Sequence, residues 1–385
     1  MPTSALFAWR NYNVDQDILD LATALRHELH AHPELSNHET WTKNRLLDFL
    51  RAHTTRLELH DKGRWFYAVW RTRSEKPSMA FRADFDALPI EDLCGTDYAS
   101  AVPGVGHKCG HDGHSAALAA LALEIDRAGA DRTVYFLFQH AEETGDGARE
   151  CCALLREEKV DEIFAFHNRP VLPLGLVHVL DGCVYCASEG MILSFEGVPS
   201  HASMPELGRN PAYAISELVC AMPELTDPAK WKGMVFATII QIDVGEPAFG
   251  TQASRGKLLL TIRGQYAEEL DRLRASIRSL AEEKAARYGL GLEIRFQDVF
   301  PDTVSWHESN EKLRRCCREL GLPCREMPAP FRSSEDFGWY TKQIPGAFFE
   351  IGGGKGTDLH TVEMDFNDEI IPIAVKLYRH LIETG

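Results

Sequence analysis

Apolar residues recur at helical spacing from the start of the chain. Ile18, Leu19, Leu21, Ala22, Leu25 and Leu29 set one stripe along Asp15–His30, and Pro33 ends it. Thr40–Leu50 repeats the pattern. Leu57–His60 and Trp65–Trp70 predict two strands around an Asp-Lys-Gly turn. From Ser78 the rhythm becomes regular. SMAFRAD predicts a strand, HSAALAALALEIDRAG a helix, TVYFLFQ a strand, GARECCALLREE a helix and EIFAFHN a strand. Such alternation implies an α/β unit whose central sheet is mainly parallel and covered on both faces.

Near Ala187 the order changes. EGMILSFEG, PAYAISELVCAM, MVFATIIQID, KLLLTIRG, AEELDRLRASIRSLAEEKAARYG and LEIRFQ read strand–helix–strand–strand–helix–strand. That is the ferredoxin-like layout, complete in itself. It predicts an inserted α+β domain at 187–297 within a discontinuous domain of 1–186 and 298–385. The tail segments CCREL, FFEIGG and IIPIAVKLYRHLI return to α/β character.

A chain of 385 residues fits two domains. Its 41 Lys+Arg against 57 Asp+Glu give a formal charge of −16, without a basic stripe, which argues against nucleic-acid binding. The longest apolar stretch, around Ala116–Ile125, is too short to span a bilayer. The first residues, MPTSALFAWRNYNVDQD, lack the pattern of a signal peptide, so a soluble cytoplasmic protein is expected. The ten cysteines are scattered, and Cys183-x-x-Cys186 has no second pair to make a zinc ribbon.

Ligands of parallel α/β sheets bind beyond the carboxyl ends of the strands. Asp84 and Asp86 follow one predicted strand, Glu142 and Glu143 another, and His167 ends a third. Cys109, His111 and Asp112 lie in the loop that opens the intervening helix. With His360 from GTDLHTVEMDF, the metal-competent set is Cys109, His111, Glu143, His167 and His360. Five such groups exceed the needs of one tetrahedral ion and suggest two ions sharing ligands. Cys109-Gly-His111 requires a tight turn, for which Gly110 and Gly113 supply freedom. Of the adjacent carboxylates Glu142 and Glu143, one can ligate while the other accepts a proton from water. His27, His30, His32 and His38 read as capping and packing groups, and His107, His114 and His140 as groups that orient ligands.

In order along the chain, RHELHAHPELSNHE, FRADFDALPIED, GHKCGHDGHSAALA, FLFQHAEETGDGA, FHN, GVPSHASMPELGRNPA, SSEDFGWY and LHTVEMDF resemble the M20 metallopeptidase/amidohydrolase family. The resemblance is to its M20D branch of aminoacylases, hippurate hydrolases and hydrolases of indoleacetate–amino acid conjugates. It implies a zinc-peptidase-like catalytic domain and a ferredoxin-like lid that forms a homodimer contact. It also implies two divalent ions (zinc or manganese, with cobalt and nickel as alternatives) on Cys109, His111, Glu143, His167 and His360. Glu142 is then the general base acting on a metal-bridging water, and His201 polarises the scissile carbonyl, in its own or the neighbouring subunit's site. Arg263 is a candidate for the substrate carboxylate, and Asn210, in the lid motif, for a further substrate contact.

Two departures stand out. FGTQAS replaces the family's FNVIPD, so Gly250 stands for a substrate-binding Asn, and Lys108 stands where a small residue is usual. The expected function is metal-dependent hydrolysis of small N-acyl amino acids or related conjugates. The alternatives are a dipeptidase or exopeptidase on the same scaffold and a metal-bearing binding protein that no longer turns over. A redox or structural-zinc protein using Cys183 and Cys186 is a further rival.

Overall fold

The computed structural model describes residues 14–354 and 356–385. The N-terminal segment read for a leader therefore lies largely outside the described residues. The chain divides into two compact units. The first takes the described residues up to Val184, with Thr303–Ala329 and Asp336–Gly385; the second takes Tyr185–Asp302 and Pro330–Glu335.

An eight-stranded sheet forms the first unit. Its order is Glu58–Asp61, Phe66–Trp70, Val134–Gln139, Met79–Asp84, Glu162–Arg169, Gly346–Gly352, Val177–Val179, Cys324–Glu326. The four strands from Val134–Gln139 to Gly346–Gly352 run parallel. Antiparallel pairing flanks them: Phe66–Trp70 on Val134–Gln139, and Val177–Val179 on Gly346–Gly352. The sequence reading missed the second of these because three residues are too few to show a period. Met79–Asp84, Val134–Gln139 and Gly346–Gly352 are buried at every position, as central strands covered on both faces must be.

The helix Gln16–Ala31 buries Ile18, Ala22, Leu25 and Leu29, the predicted stripe. His111–Ala128 is buried from His111 to Asp126, which explains its Ala/Leu composition and its lack of a polar face. The predicted helix at 147–158 is instead two short pieces, Gly147–Cys151 and Ala153–Glu157.

The second unit holds a four-stranded antiparallel sheet in the order Gly291–Phe300, Ala187–Glu196, Arg255–Gly264, Val235–Val244. The helices Ala212–Leu225 and Ala267–Tyr288 connect its strands. Along Arg255–Gly264, Leu258, Leu260 and Ile262 are buried at alternate positions, against Leu218, Leu273 and Ile277 of the helices.

Beneath the first sheet's carboxyl edge runs a chain of buried ions. Lys108 pairs with Asp92, Asp92 with His30, His30 with Asp112, and Asp112 with Arg26, which also reaches Asp365. Against its burial, the charge and hydrogen bond of Asp112 and the bond to Asp92 push the His30 pKa up to about 11. His32 does cap a helix end, through Nδ1 and the Glu28 carbonyl, and His27 stacks on Tyr98 and meets Asp368. His30 is a buried cation, not a capping or packing group.

A His30→Leu variant would leave Asp92 and Asp112 buried without their shared partner. Breaking a buried pair from one side costs about 3–5 kcal/mol, so urea unfolding should show a loss of about 3 kcal/mol. A midpoint within error of the wild type would contradict the charge assignment.

Candidate metal centre

Cys109 precedes Gly110, whose φ of 100° turns the chain left-handed immediately before the helix His111–Ala128. That reversal lets Cys109 and His111 face the same place. A Cβ on Gly110 would lie 2.5 Å from the Asn168 side chain, so the position excludes any other residue. Gly113 does not supply backbone freedom as expected: a Cβ there would stand 2.3 Å from the Phe366 ring, so it is Gly for close packing. The Glu142–Glu143 pair follows Ala141, which has a φ of 48°, and His360 has a φ of 59°. Left-handed backbone at non-glycine residues costs roughly 1–2 kcal/mol each, and both sit where a polar side chain must be aimed.

The first unit gathers six predicted residues into one cluster. Cys109 Sγ lies 3.1 Å from His167 Nε2 and 3.4 Å from His360 Nε2. Glu143 Oε1 lies 3.8 Å from His111 Nε2 and 3.7 Å from His360 Nε2. Glu142 Oε2 stands 4.0 Å from His111 Nε2, and its Oε1 accepts from the Asp336 N–H at 3.4 Å. Among these six, overlapping triads lie close enough to share an ion: Cys109, His111 and His167; Cys109, Glu143 and His360; and His111, Glu142 and Glu143. Cys109 joins the first two, and His111 the first and third.

Hydrogen bonds aim the imidazoles. His167 Nδ1 donates to the Asn168 carbonyl at 2.8 Å, which directs Nε2 at the cluster. His111 Nδ1 donates to Asp86 Oδ1 and the Asp86 carbonyl, both at 3.0 Å. Asp86 in turn accepts from Ser36 Oγ and from the Glu143 N–H, so it joins two segments that carry candidate ligands. Sequence reasoning put Asp86 on this rim without giving it a task; a carboxylate behind a ligating histidine is the usual partner.

Of the three histidines expected to orient ligands, His114 alone does so. It contacts Asp84 Oδ1 and Asn168 Oδ1, each at 2.7 Å, and packs edge-on to His167. His140 meets Glu150 and Cys151 instead. Neither ring nitrogen of buried His107 has a hydrogen-bond partner among the described residues, and burial pushes its pKa down to about 4.

The cluster suits a cation. Buried His111 Nε2 and Glu143 Oε1 have no hydrogen-bond partner among the described residues. Ligand bonds of about 2.0–2.3 Å at tetrahedral angles place donors about 3.5 Å apart, close to the separations found here. Burial pushes Glu143 up to about 7, with Asp86 adding to the shift and His111 opposing it. Burial and the Glu143 charge push the Cys109 thiol well above its usual range. His111 moves the other way from what burial favours: the Asp84 charge and the hydrogen bond to Asp86 hold it well above the ordinary imidazole value. Acidic donors that resist ionisation around a ring that resists deprotonation mark a site short of positive charge.

The model of peptidase family M20/M25/M40 matches residues 80–384. The chain belongs to this family.

As an M20-family member it is a hydrolase acting on amide bonds, and a metal-dependent one. It is 27% identical over 379 residues to an uncharacterised hydrolase of Staphylococcus haemolyticus, covering 94% of this chain and 98% of that one. It is 27% identical over 366 residues to N-acetylcysteine deacetylase of Bacillus subtilis, covering 93% and 94%. A solved Bacillus subtilis structure, a dinuclear metal-binding peptidase from the M20 family, superposes with a TM-score of 0.80 at 25% identity, over 96% of this chain and 98% of that one.

His201, Asn210 and Arg263 lie in the second unit. His201 is exposed; its Nδ1 accepts from the Ser203 N–H at 3.1 Å, which places the ring proton on Nε2. The FGTQAS segment clasps this loop. Gly250 O accepts from Ala202 N–H at 3.1 Å, and Gln252 N–H donates to Ser200 O at 2.9 Å. Asn210 Oδ1 accepts from Ala212 N–H at 2.9 Å, at the start of the helix Ala212–Leu225. Arg263 Nη1 donates to Ser334 Oγ at 2.7 Å and to the Arg332 carbonyl at 3.2 Å.

Coordination deprotonates a thiol and shields it. Zinc-loaded protein should resist iodoacetamide at Cys109, while chelator-treated protein, whose buried and protonated thiol reacts only on local opening, should label there over a long incubation at alkaline pH. Peptide mass spectrometry reads the difference, and equal labelling in both states would make Cys109 a plain core thiol.

Proposed function

We propose that this chain hydrolyses the amide bond of small N-acyl amino acids. Cys109, His111, Glu143, His167 and His360 would hold two divalent ions, with zinc or manganese expected and cobalt or nickel as alternatives. Those ions, when bound, supply Lewis acidity and an acidified water. The observation that carries the reading is the inequality of two adjacent carboxylates. Glu143 Oε1 faces both His111 and His360, whereas Glu142 Oε2 reaches His111 at 4.0 Å and its Oε1 is held by the Asp336 N–H.

Glu143 is therefore the ligand and Glu142 the base. Glu142 takes the proton of the attacking water and passes it to the leaving amine. His201, with its proton on Nε2, donates to the developing oxyanion. Arg263 receives the substrate carboxylate on the guanidinium edge away from Ser334 and Arg332, since among the described residues both contacts use Nη1. Asn210, its oxygen committed to Ala212, offers its Nδ2 donors. The name of the Bacillus subtilis relative, N-acetylcysteine deacetylase, agrees with this substrate class.

The second unit, with its ferredoxin-like element order, serves in this reading as lid and homodimer contact. Val235–Val244 is a sheet edge whose Ile239, Ile240 and Ile242 are exposed, a surface suited to a second copy of the chain. Ten free cysteines fit a reducing cytoplasm. No helix among the described residues is long and apolar enough to cross a membrane.

Glu142→Gln tests the assignment. It should keep its bound metal and its melting temperature yet lose about 10²–10⁴-fold in kcat on N-acetyl, N-benzoyl and longer N-acyl amino acids. Near-normal turnover would remove Glu142 from the mechanism. In the same assay, free-amine dipeptides outcompeting every acylated substrate would favour the exopeptidase alternative.

A further inference from the structure

Lys108 is fully buried between Cys109 and His107, a costly place for an ammonium unless it holds something. Its side chain donates to Asp92 and, at 2.9 Å, to the Met364 carbonyl. Its own carbonyl accepts the His360 N–H at 2.7 Å. One residue thus grips the C-terminal segment at both ends of the turn 360–364. Between those grips Leu93 N–H donates to the Val362 carbonyl at 2.8 Å, and Leu93 directly follows Asp92. The segment 92–93 is therefore fastened to the same turn, and the Lys108–Asp92 pair joins the two fastenings.

His360 has reason to need such a clasp. Its side chain is half exposed, against nearly complete burial for His111 and His167. Its backbone is left-handed, and Thr361 and Val362 are only partly buried. Packing alone does not fix this ring where Cys109 and Glu143 meet it.

We propose that Lys108 is a positioning residue for His360, fixing the one half-exposed member of the Cys109–Glu143–His360 triad so that the second metal ion binds. The inference rests on the dinuclear reading given above. Lys108 also pairs with Asp92 beside His30 and Cys94, three residues close enough to share an ion, so its ammonium competes with any cation there.

Metal binding to the full-length chain, stripped by chelator and titrated with zinc, tests this by calorimetry and elemental analysis. The wild type should take two ions per chain. Lys108→Met, which keeps the apolar stem, should take one ion tightly and lose most of its affinity for the second, and His360→Ala should do the same. Lys108→Arg should recover part of that affinity. The rise in melting temperature on zinc addition separates positioning from stability. A merely structural lysine lowers the metal-free and zinc-loaded melts together and leaves the rise unchanged, whereas positioning shrinks the rise. If Lys108→Met does not fold, Lys108→Gln should show the same loss in milder form. Two ions bound with wild-type affinity in the folded variant would overturn the role of Lys108 alone. Fewer than two on the wild type would overturn the dinuclear reading and this role with it.

Discussion

A buried thiol, two buried imidazoles and two carboxylates do not share one sheet edge through packing. Their donors stand 3.1–4.0 Å apart, too close to coexist in their charged and basic forms without a counter-charge. The metal-free chain answers in the ways open to it. It holds Glu143 and Cys109 away from ionisation and keeps His111 protonated between the carboxylates. A divalent cation relieves all three strains together, which is why the site reads as one built around an ion that the surrounding hydrogen bonds already anticipate.

The fold makes that assembly possible by bringing chain ends together. Parallel strands deliver Asp84, Gln139 and His167 to the same edge, and the loops beyond add Asp86, Glu142 and Glu143. The helix His111–Ala128 starts at this edge and contributes Cys109 and His111 across the Gly110 turn. What keeps these loops in place is a buried network with little apolar content. Asp86 ties Ser36, His111 and Glu143, Asn168 ties His114 to His167, and the Lys108–Asp92–His30–Asp112–Arg26 chain underlies the motif loop. Most members touch two others, so loss of one leaves its neighbours with fewer partners for a buried charge.

Much of this was legible in the sequence, for identifiable reasons. Strands such as Val134–Gln139 and helices such as Gln16–Ala31 show their periods, and the ligand candidates sit at strand ends where topology must bring them together. The βαββαβ order of the second unit was equally plain in its alternating apolar positions. What escaped depends on contacts between distant segments. Nothing in the local sequence says that His30 meets Asp92 and Asp112, that Asp86 stands behind His111, or that Lys108 reaches Met364. The split of 147–158 into two short helices escaped for a different reason. The break falls at Cys152, whose φ of −56° and ψ of −11° stay in the right-handed helical region, so the spacing of apolar residues carries no sign of it.

Ligation by Cys109 decides the dinuclear reading, because that thiol joins His111 and His167 to Glu143 and His360. X-ray absorption at the zinc edge of the loaded protein measures it directly. The account predicts a sulfur shell at about 2.3 Å beside nitrogen and oxygen donors, with a second zinc at about 3.5–4 Å. A spectrum fitted by nitrogen and oxygen alone, with no metal neighbour, would contradict it.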